Sequence, residues 1–123
     1  MRIGEFANMF LIEQHTVRYY IRKGLLLPES KNGQYLFDYE SIQDMEFILK
    51  FKDMGFSLTE IHKLISLYRI SNFAGQDDRN TLLRLFKQKR EELIKKETDI
   101  LRQKEILKEL MTAENVDEKE AAR

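Results

Sequence analysis

Four apolar residues, Phe86, Leu93, Ile100 and Leu107, recur every seven positions in the C-terminal half of the chain, and no glycine or proline interrupts the surrounding stretch until well past Met111. A seven-residue repeat of apolar side chains is the mark of a coiled-coil seam. Leu82, Leu83, Ile94, Leu101, Leu110 and Met111 flank it, while Lys89, Arg90, Lys96, Glu97, Gln103 and Lys104 stand beside it, so the stripe is narrow and wet. A helix over residues 81–111 extends about 50 Å and cannot fold back on a small domain along its whole length. The stripe therefore calls for a partner helix, most simply one from a second copy. The expected contact residues of a homodimer are Leu82, Phe86, Leu93, Ile100 and Leu107.

What precedes this helix is compact. The chain has 123 residues, enough for one domain and an appendage, and 42% of them are hydrophobic. One proline and five glycines favour long helices. Residues 13–27 are the centre of the N-terminal part. Read as a helix, this stretch carries Val17, Tyr20 and Ile21 on a face that can be buried, with Gly24 continuing the row past the helix end. His15, Arg18, Tyr19 and Arg22 share the other face, which is basic and aromatic and has no acidic member. A helix that enters the major groove and reads base edges needs such a face.

Ile3, Phe6, Ala7 and Phe10 follow the helical period, so residues 4–10 read as a short helix before a break near Leu11 and Ile12. Helix, tight turn, helix is the helix-turn-helix arrangement. Gly24 and Pro28 end the second helix. Asn32-Gly33 then signals a hairpin turn, with apolar and aromatic residues around it suited to strands. Leu36 or Phe37 would anchor the resulting two-stranded wing, leaving Lys31, Asn32 and Tyr35 near a phosphate backbone. A third helix starts between Asp38 and Ser41 and carries Ile42, Met45, Phe47, Ile48, Leu49 and Phe51 before Gly55 stops it. Ser57 and Glu60 form a capping box, with Phe56 and Ile61 at staple positions. Leu58, Ile61, Leu64, Ile65 and Tyr68 form the buried stripe of the fourth helix, and His62 falls outside it. Residues 70–80 have linker composition, and 112–123 read as a flexible tail.

Charge narrows the function. Lys and Arg number 21, as do Asp and Glu, and the charged fraction is 34%. Global charge thus gives nucleic-acid binding no support, and any basic surface is local. Within residues 15–31, Arg18, Arg22, Lys23 and Lys31 face only Glu29. That excess is the electrostatic footprint of a duplex partner. The chain has no cysteine, which rules out disulfides, thiolate metal sites and cysteine nucleophiles. No nucleophile–base pair, phosphate-cradling glycine loop or metal-ligand cluster appears, so neither an enzyme nor a cofactor is expected. There is no basic-then-apolar leader and no apolar run of membrane-spanning length, so a soluble cytoplasmic protein without a membrane partner is expected.

Ile3-Gly4-Glu5-Phe6-Ala7, Thr16-Val17-Arg18-Tyr19-Tyr20, Lys23-Gly24-Leu25-Leu26, Pro28, Asn32-Gly33, the aromatic wing residues, Gly55-Phe56-Ser57-Leu58 and Glu60-Ile61 closely resemble the N-terminal domain of MerR-type transcription regulators. The match runs from residue 2 to 68 and continues loosely through the long helix. The resemblance implies a mainly α chain: a winged helix-turn-helix domain over 1–69 with a small two-stranded wing, followed by an antiparallel coiled-coil dimerisation helix. It also implies that a homodimer binds a pseudo-palindromic promoter site in double-stranded DNA and distorts it so that RNA polymerase engages both promoter elements. By that likeness Arg18 and Tyr19 touch DNA, Thr16 lies near the backbone, and Lys31 and Tyr35 serve the wing. Gln14, His15, Arg22 and Lys23 complete the expected interface.

Three departures stand out. The glycine and serine usual in the turn fall at Leu11 and Glu13. The arginine usual after the wing's Gly-Tyr pair is missing, Tyr35 and Leu36 being the nearest candidates. The chain also lacks the cysteines and effector domain of many members, so thiolate metal sensing is excluded and no ligand pocket is evident. Either it is a short regulator or it is part of a longer chain. With the neutral net charge, the missing arginine motivates an alternative: a protein–protein adaptor that kept the fold but lost DNA binding.

Overall fold

The computed structural model describes residues 1–114, which form five helices and one hairpin: α1 (Ile3–Met9), α2 (Gln14–Arg22), β1 (Glu29–Lys31), β2 (Gln34–Leu36), α3 (Tyr39–Asp53), α4 (Leu58–Ser71) and α5 (Gln76–Ala113). The chain divides into two compact units, residues 1–82 and the stretch from Leu83 onward. The first unit holds the core. Phe6, Val17, Leu25, Leu26, Met45, Ile48, Ile61 and Leu64 are all fully buried in it. The expected mainly helical chain with a two-stranded wing and a long final helix is what the structure contains.

The helix starts follow local chemistry. Asp38 caps α3 by accepting from the Ser41 backbone at 3.1 Å, and the Ser41 hydroxyl reaches the same oxygen at 3.3 Å. At α4 the capping box is complete: the Ser57 amide donates to Glu60 Oε1 at 2.9 Å, and the Glu60 amide donates to Ser57 Oγ at 3.2 Å. Phe56 and Ile61 are both buried beside it, as staple residues should be.

The turn between α1 and α2 is less ordinary. Leu11 sits at φ +55° and is 93% exposed. Its amide bonds to the Asn8 carbonyl at 3.2 Å, and the Ile12 amide bonds to that of Ala7 at 3.0 Å. A glycine would take this left-handed position without a Cβ clash.

Beyond α2 the chain does not simply stop. Gly24, at φ +75°, reverses it, and the amides of Leu25 and Leu26 both return to the Tyr20 carbonyl at 2.9 and 3.3 Å. Leu25 and Leu26 are thereby turned fully inward, a contribution to the core that helical periodicity over 13–27 does not reveal. The helix itself is shorter than that stretch.

The wing pairs Glu29 with Leu36, Ser30 with Tyr35 and Lys31 with Gln34. Positive φ at both Asn32 and Gly33 (53° and 75°) gives the type I′ turn that suits a two-residue hairpin. Phe37 is its anchor, stacked on Phe6 of α1 at 4.2 Å between ring centroids, while Leu36 is half-buried. Phe37 also exchanges two backbone hydrogen bonds with Met1, each 2.8 Å.

Two boundaries need correction. The linker expected over 70–80 shrinks to residues 72–75, because α4 runs through Ser71 and α5 resumes at Gln76. Asn72 and Phe73, both at φ +56°, break the helix, and Asp77 and Asp78 favour the positive end of the next one. At the other end α5 includes Thr112 and Ala113, which the expected tail of 112–123 had claimed. Residues 115–123 of that tail lie outside the described residues.

Replacing Leu11 by glycine should stabilise the protein. The side chain is in solvent, so little burial is lost, and relief of the left-handed strain outweighs the added unfolded-state entropy by about 0.5–1 kcal/mol. A higher urea midpoint for Leu11→Gly checks this; a lower one would mean that Leu11 makes contacts that matter.

Candidate nucleic-acid interface

α2 is strongly two-faced. Val17 and Tyr20 are buried, whereas His15, Arg18, Tyr19 and Arg22 are all on the outside. Tyr19 gathers two cations: Arg22 Cζ lies 5.6 Å from the ring centroid and Lys23 Nζ 5.5 Å. Each contact is worth about 0.5–1 kcal/mol at an exposed site, which is enough to bias otherwise free side chains toward one patch. Thr16 is half-buried at the helix start. Gln14 is exposed but lies over α1: a Cβ built on Gly4 would come within 3.5 Å of its amide nitrogen. Glu13 occupies the N-cap without capping; its carboxylate instead meets His15 Nδ1 at 3.2 Å.

Lys31 and Tyr35 are exposed on the wing. Among the described residues no hydrogen bond or ion pair joins either of them to α2. Helix and wing are instead coupled through α1, which packs on α2 and stacks Phe6 against Phe37. Tyr35 leans on that anchor, 6.4 Å from Phe37 between centroids.

Three residues that sequence reasoning passed over hold α2 from behind. Arg69 of α4 donates from Nη2 to the Leu25 carbonyl at 2.6 Å and to Asp44 Oδ2 at 2.9 Å, and from Nη1 to the Gly24 carbonyl at 3.2 Å. One guanidinium thus clasps the turn after α2 to both α3 and α4. Asp44 is 9% exposed, and a buried carboxylate needs such a partner. Lys52 of α3 donates to the Tyr20 hydroxyl at 3.1 Å, with its ammonium 5.7 Å from the ring centroid. Arg69 is the last residue of the expected 1–69 domain and was given no role there. Its spacing of four and eight from Ile65 and Ile61 puts it on the buried row of α4, and that was the available signal.

Next to the clasp is an open polar cleft of about 440 Å³, lined by Leu27, Glu40, Ser41, Gln43, Asp44, Tyr68, Arg69 and Asn72. No pocket had been expected there. Among the described residues no group of three or more His, Asp or Glu could hold a metal ion, and no helix is long and apolar enough to cross a membrane.

The proposed seam on α5 is only partly covered within the chain. Leu82 and Phe86 are half-buried, whereas Leu93, Ile100 and Leu107 are 44%, 54% and 61% exposed. Ile94, Leu101 and Leu110 are exposed as well.

Two short helices joined by a tight turn, a basic outward face on the second, and a hairpin tied back to the first define a winged helix-turn-helix protein. Residues 1–67 match the family model described as MerR HTH family regulatory protein, and residues 42–110 match that described as MerR, DNA binding. The chain belongs to the MerR family. A mercuric resistance operon regulatory protein of Bacillus cereus is 35% identical over 69 residues, 54% of this chain and 52% of that relative. The chain spans about half the length of the curated relatives it matches first. Among solved structures, a MerR family transcriptional regulator from Bacillus cereus superposes with a TM-score of 0.75 at 26% identity, over 96% of this chain and 84% of that one. HiNmlR, a MerR family regulator lacking the sensor domain and bound to promoter DNA, shares the fold with a TM-score of 0.60 at 21% identity, over 94% of each chain.

If the clasp holds the end of α2 in place, Arg69→Ala should cost about 2 kcal/mol in urea unfolding, since it strands two carbonyls and a carboxylate. Amide exchange at Leu25 and Leu26 should quicken in the same variant. Unchanged protection at those two amides would show that the turn stands without Arg69.

Proposed function

We propose that this protein is a DNA-binding transcription regulator that engages pseudo-palindromic promoter DNA as a homodimer. The observation that carries the reading is the exposed face of α2, where His15, Arg18, Tyr19 and Arg22 stand together while the opposite face is buried. Arg18 is the natural reader of a guanine edge, because a guanidinium forms two hydrogen bonds to O6 and N7. Arg22 and Lys23, ordered by Tyr19, serve phosphates, and Lys31 and Tyr35 extend the contact from the wing. In this arrangement residues 1–71 make up the DNA-binding domain and α5 the dimerisation helix.

Family membership supports this reading, as does the fold shared with a regulator bound to promoter DNA. The action is placed in the cytoplasm, with distortion of the duplex bringing the promoter elements into register for RNA polymerase. No catalytic role is assigned. The adaptor reading is not favoured, since a protein partner gives no account of the paired cations on Tyr19.

Affinity for a specific site should fall steeply with salt, each neutralised phosphate contributing about −0.9 to the log–log slope. At fixed salt Arg18→Ala should weaken specific binding about tenfold or more while leaving non-specific binding largely intact. Binding equal to wild type would remove α2 from the interface.

The dimer is tested apart from DNA. Leu93→Glu combined with Ile100→Glu places charges on the seam and should convert a sedimenting dimer to a monomer at micromolar concentration. A wild-type monomer under those conditions would leave the exposed seam without the proposed partner.

A further inference from the structure

We propose that Arg90 and Glu97 of α5 lock the register of the dimer: the two helices run antiparallel about a dyad between Leu93 and Ile94, and Arg90 of each protomer meets the partner's Glu97. The inference rests on the homodimer reading above and names the side chains that set the geometry of that interface.

α5 carries two apolar rows. Phe86, Leu93, Ile100 and Leu107 form the seam, and Ile94 and Leu101 form a second row about 100° round the helix. Ile94 and Leu101 are exposed, as are Leu93, Ile100 and Leu107. Arg90, Glu97 and Lys104 run between the rows. Each stands four positions beyond a seam residue, and Arg90 and Glu97 stand four positions before Ile94 and Leu101. All three are exposed, and among the described residues none of them has a hydrogen bond or ion pair. A second helix that covers both rows must also cover this line of charges, which alternates positive, negative, positive.

A buried charge without an opposite partner is strongly unfavourable, and polar groups within a helix pair are what select its register. In a parallel pair each of the three faces its own copy, so like meets like throughout. In an antiparallel pair the dyad decides which residues face each other. A dyad at Glu97 matches apolar groups well, with Leu93 on the partner's Leu101 and Ile94 on the partner's Ile100. It also sets Glu97 against the partner's Glu97 and Arg90 against the partner's Lys104. A dyad between Leu93 and Ile94 brings Arg90 to the partner's Glu97 twice, sets Leu93 on the partner's Ile94 and adds Phe86 on the partner's Leu101. Lys104 then lies along the partner's Leu83 with its ammonium in solvent. A dyad between Ile100 and Leu101 also joins opposite charges, Glu97 and the partner's Lys104, but leaves α5 unpaired before residue 88. The dyad between Leu93 and Ile94 pairs residues 76–111, nearly all of the 38-residue helix.

The chain has no cysteine, so single introduced cysteines report the register directly. A disulfide needs Cα atoms within about 7 Å. Under mild oxidation Leu93→Cys should give a disulfide-linked dimer, because its own copy stands across the interface only about 1.5 Å away along the helix axis. Ile100→Cys should not, its copy being about 20 Å away along that axis. Arg90→Glu and Glu97→Arg should each weaken the sedimenting dimer about tenfold or more, and the double variant should restore it.

Cross-linking of Ile100→Cys alone would move the dyad, and cross-linking of both variants would mean a parallel pair. Cross-linking of neither, in a protein that sediments as a dimer, would mean that apolar matching prevails over charge. Each result overturns the inference and leaves the dimer standing, as does a double variant no tighter than the single ones. A wild-type monomer at micromolar concentration would instead bring down the homodimer reading itself.

Discussion

The position of α2 depends on one guanidinium. α2 is nine residues long, too short to hold itself in place, and Val17 and Tyr20 are its only fully buried side chains. What fixes its far end is Arg69, forty-five residues on, bonded at once to Gly24, Leu25 and Asp44. The geometry suits arginine: its planar fork offers several donors in fixed directions, whereas an ammonium is a single point. Gly24 makes the turn possible. A Cβ there would come within 3.2 Å of His62 Nε2, and the backbone already sits at φ +75°. Leu25 and Leu26 then become the plug that closes the core beneath the clasp.

Much of this was legible in the residues, and the pattern of what was not is physical. Features written in short-range chemistry were read correctly: the Ser57–Glu60 box, the Asn32-Gly33 turn and the two faces of α2, while the wing anchor, left open between Leu36 and Phe37, is Phe37. Each depends on neighbours within a few positions. The clasp depends on a bond spanning more than forty residues; the row of α4 marks Arg69 as inward, but no local pattern names its partners. Lys52 and Tyr20 pair across thirty-two positions for the same reason. The linker was overestimated because polar composition resembles a loop, while Ser71 and Gln76 are both helical. The departure at Glu13 was visible in the sequence, but its partner His15 emerged only with the geometry.

The charge balance also becomes intelligible at this scale. A chain with equal numbers of acids and bases has no long-range field to draw it to a polyanion. The cations instead form a small patch around Tyr19, with Arg22 and Lys23 on one ring. A regulator built this way would depend less on diffuse attraction and more on the fit of a few contacts. Among its acids, Asp38 and Glu60 cap helices and Asp44 pairs with Arg69.

The 38-residue span of α5 has an implication for how such a chain can change over generations. One inserted residue swings everything beyond it by about 100°, carrying Ile100 and Leu107 off the line of Leu93. Seven inserted residues nearly restore the azimuth and lengthen the rod by about 10 Å. Under the proposed dimer, length is quantised: drift by single codons is penalised along this segment, and related chains should differ here by whole heptads.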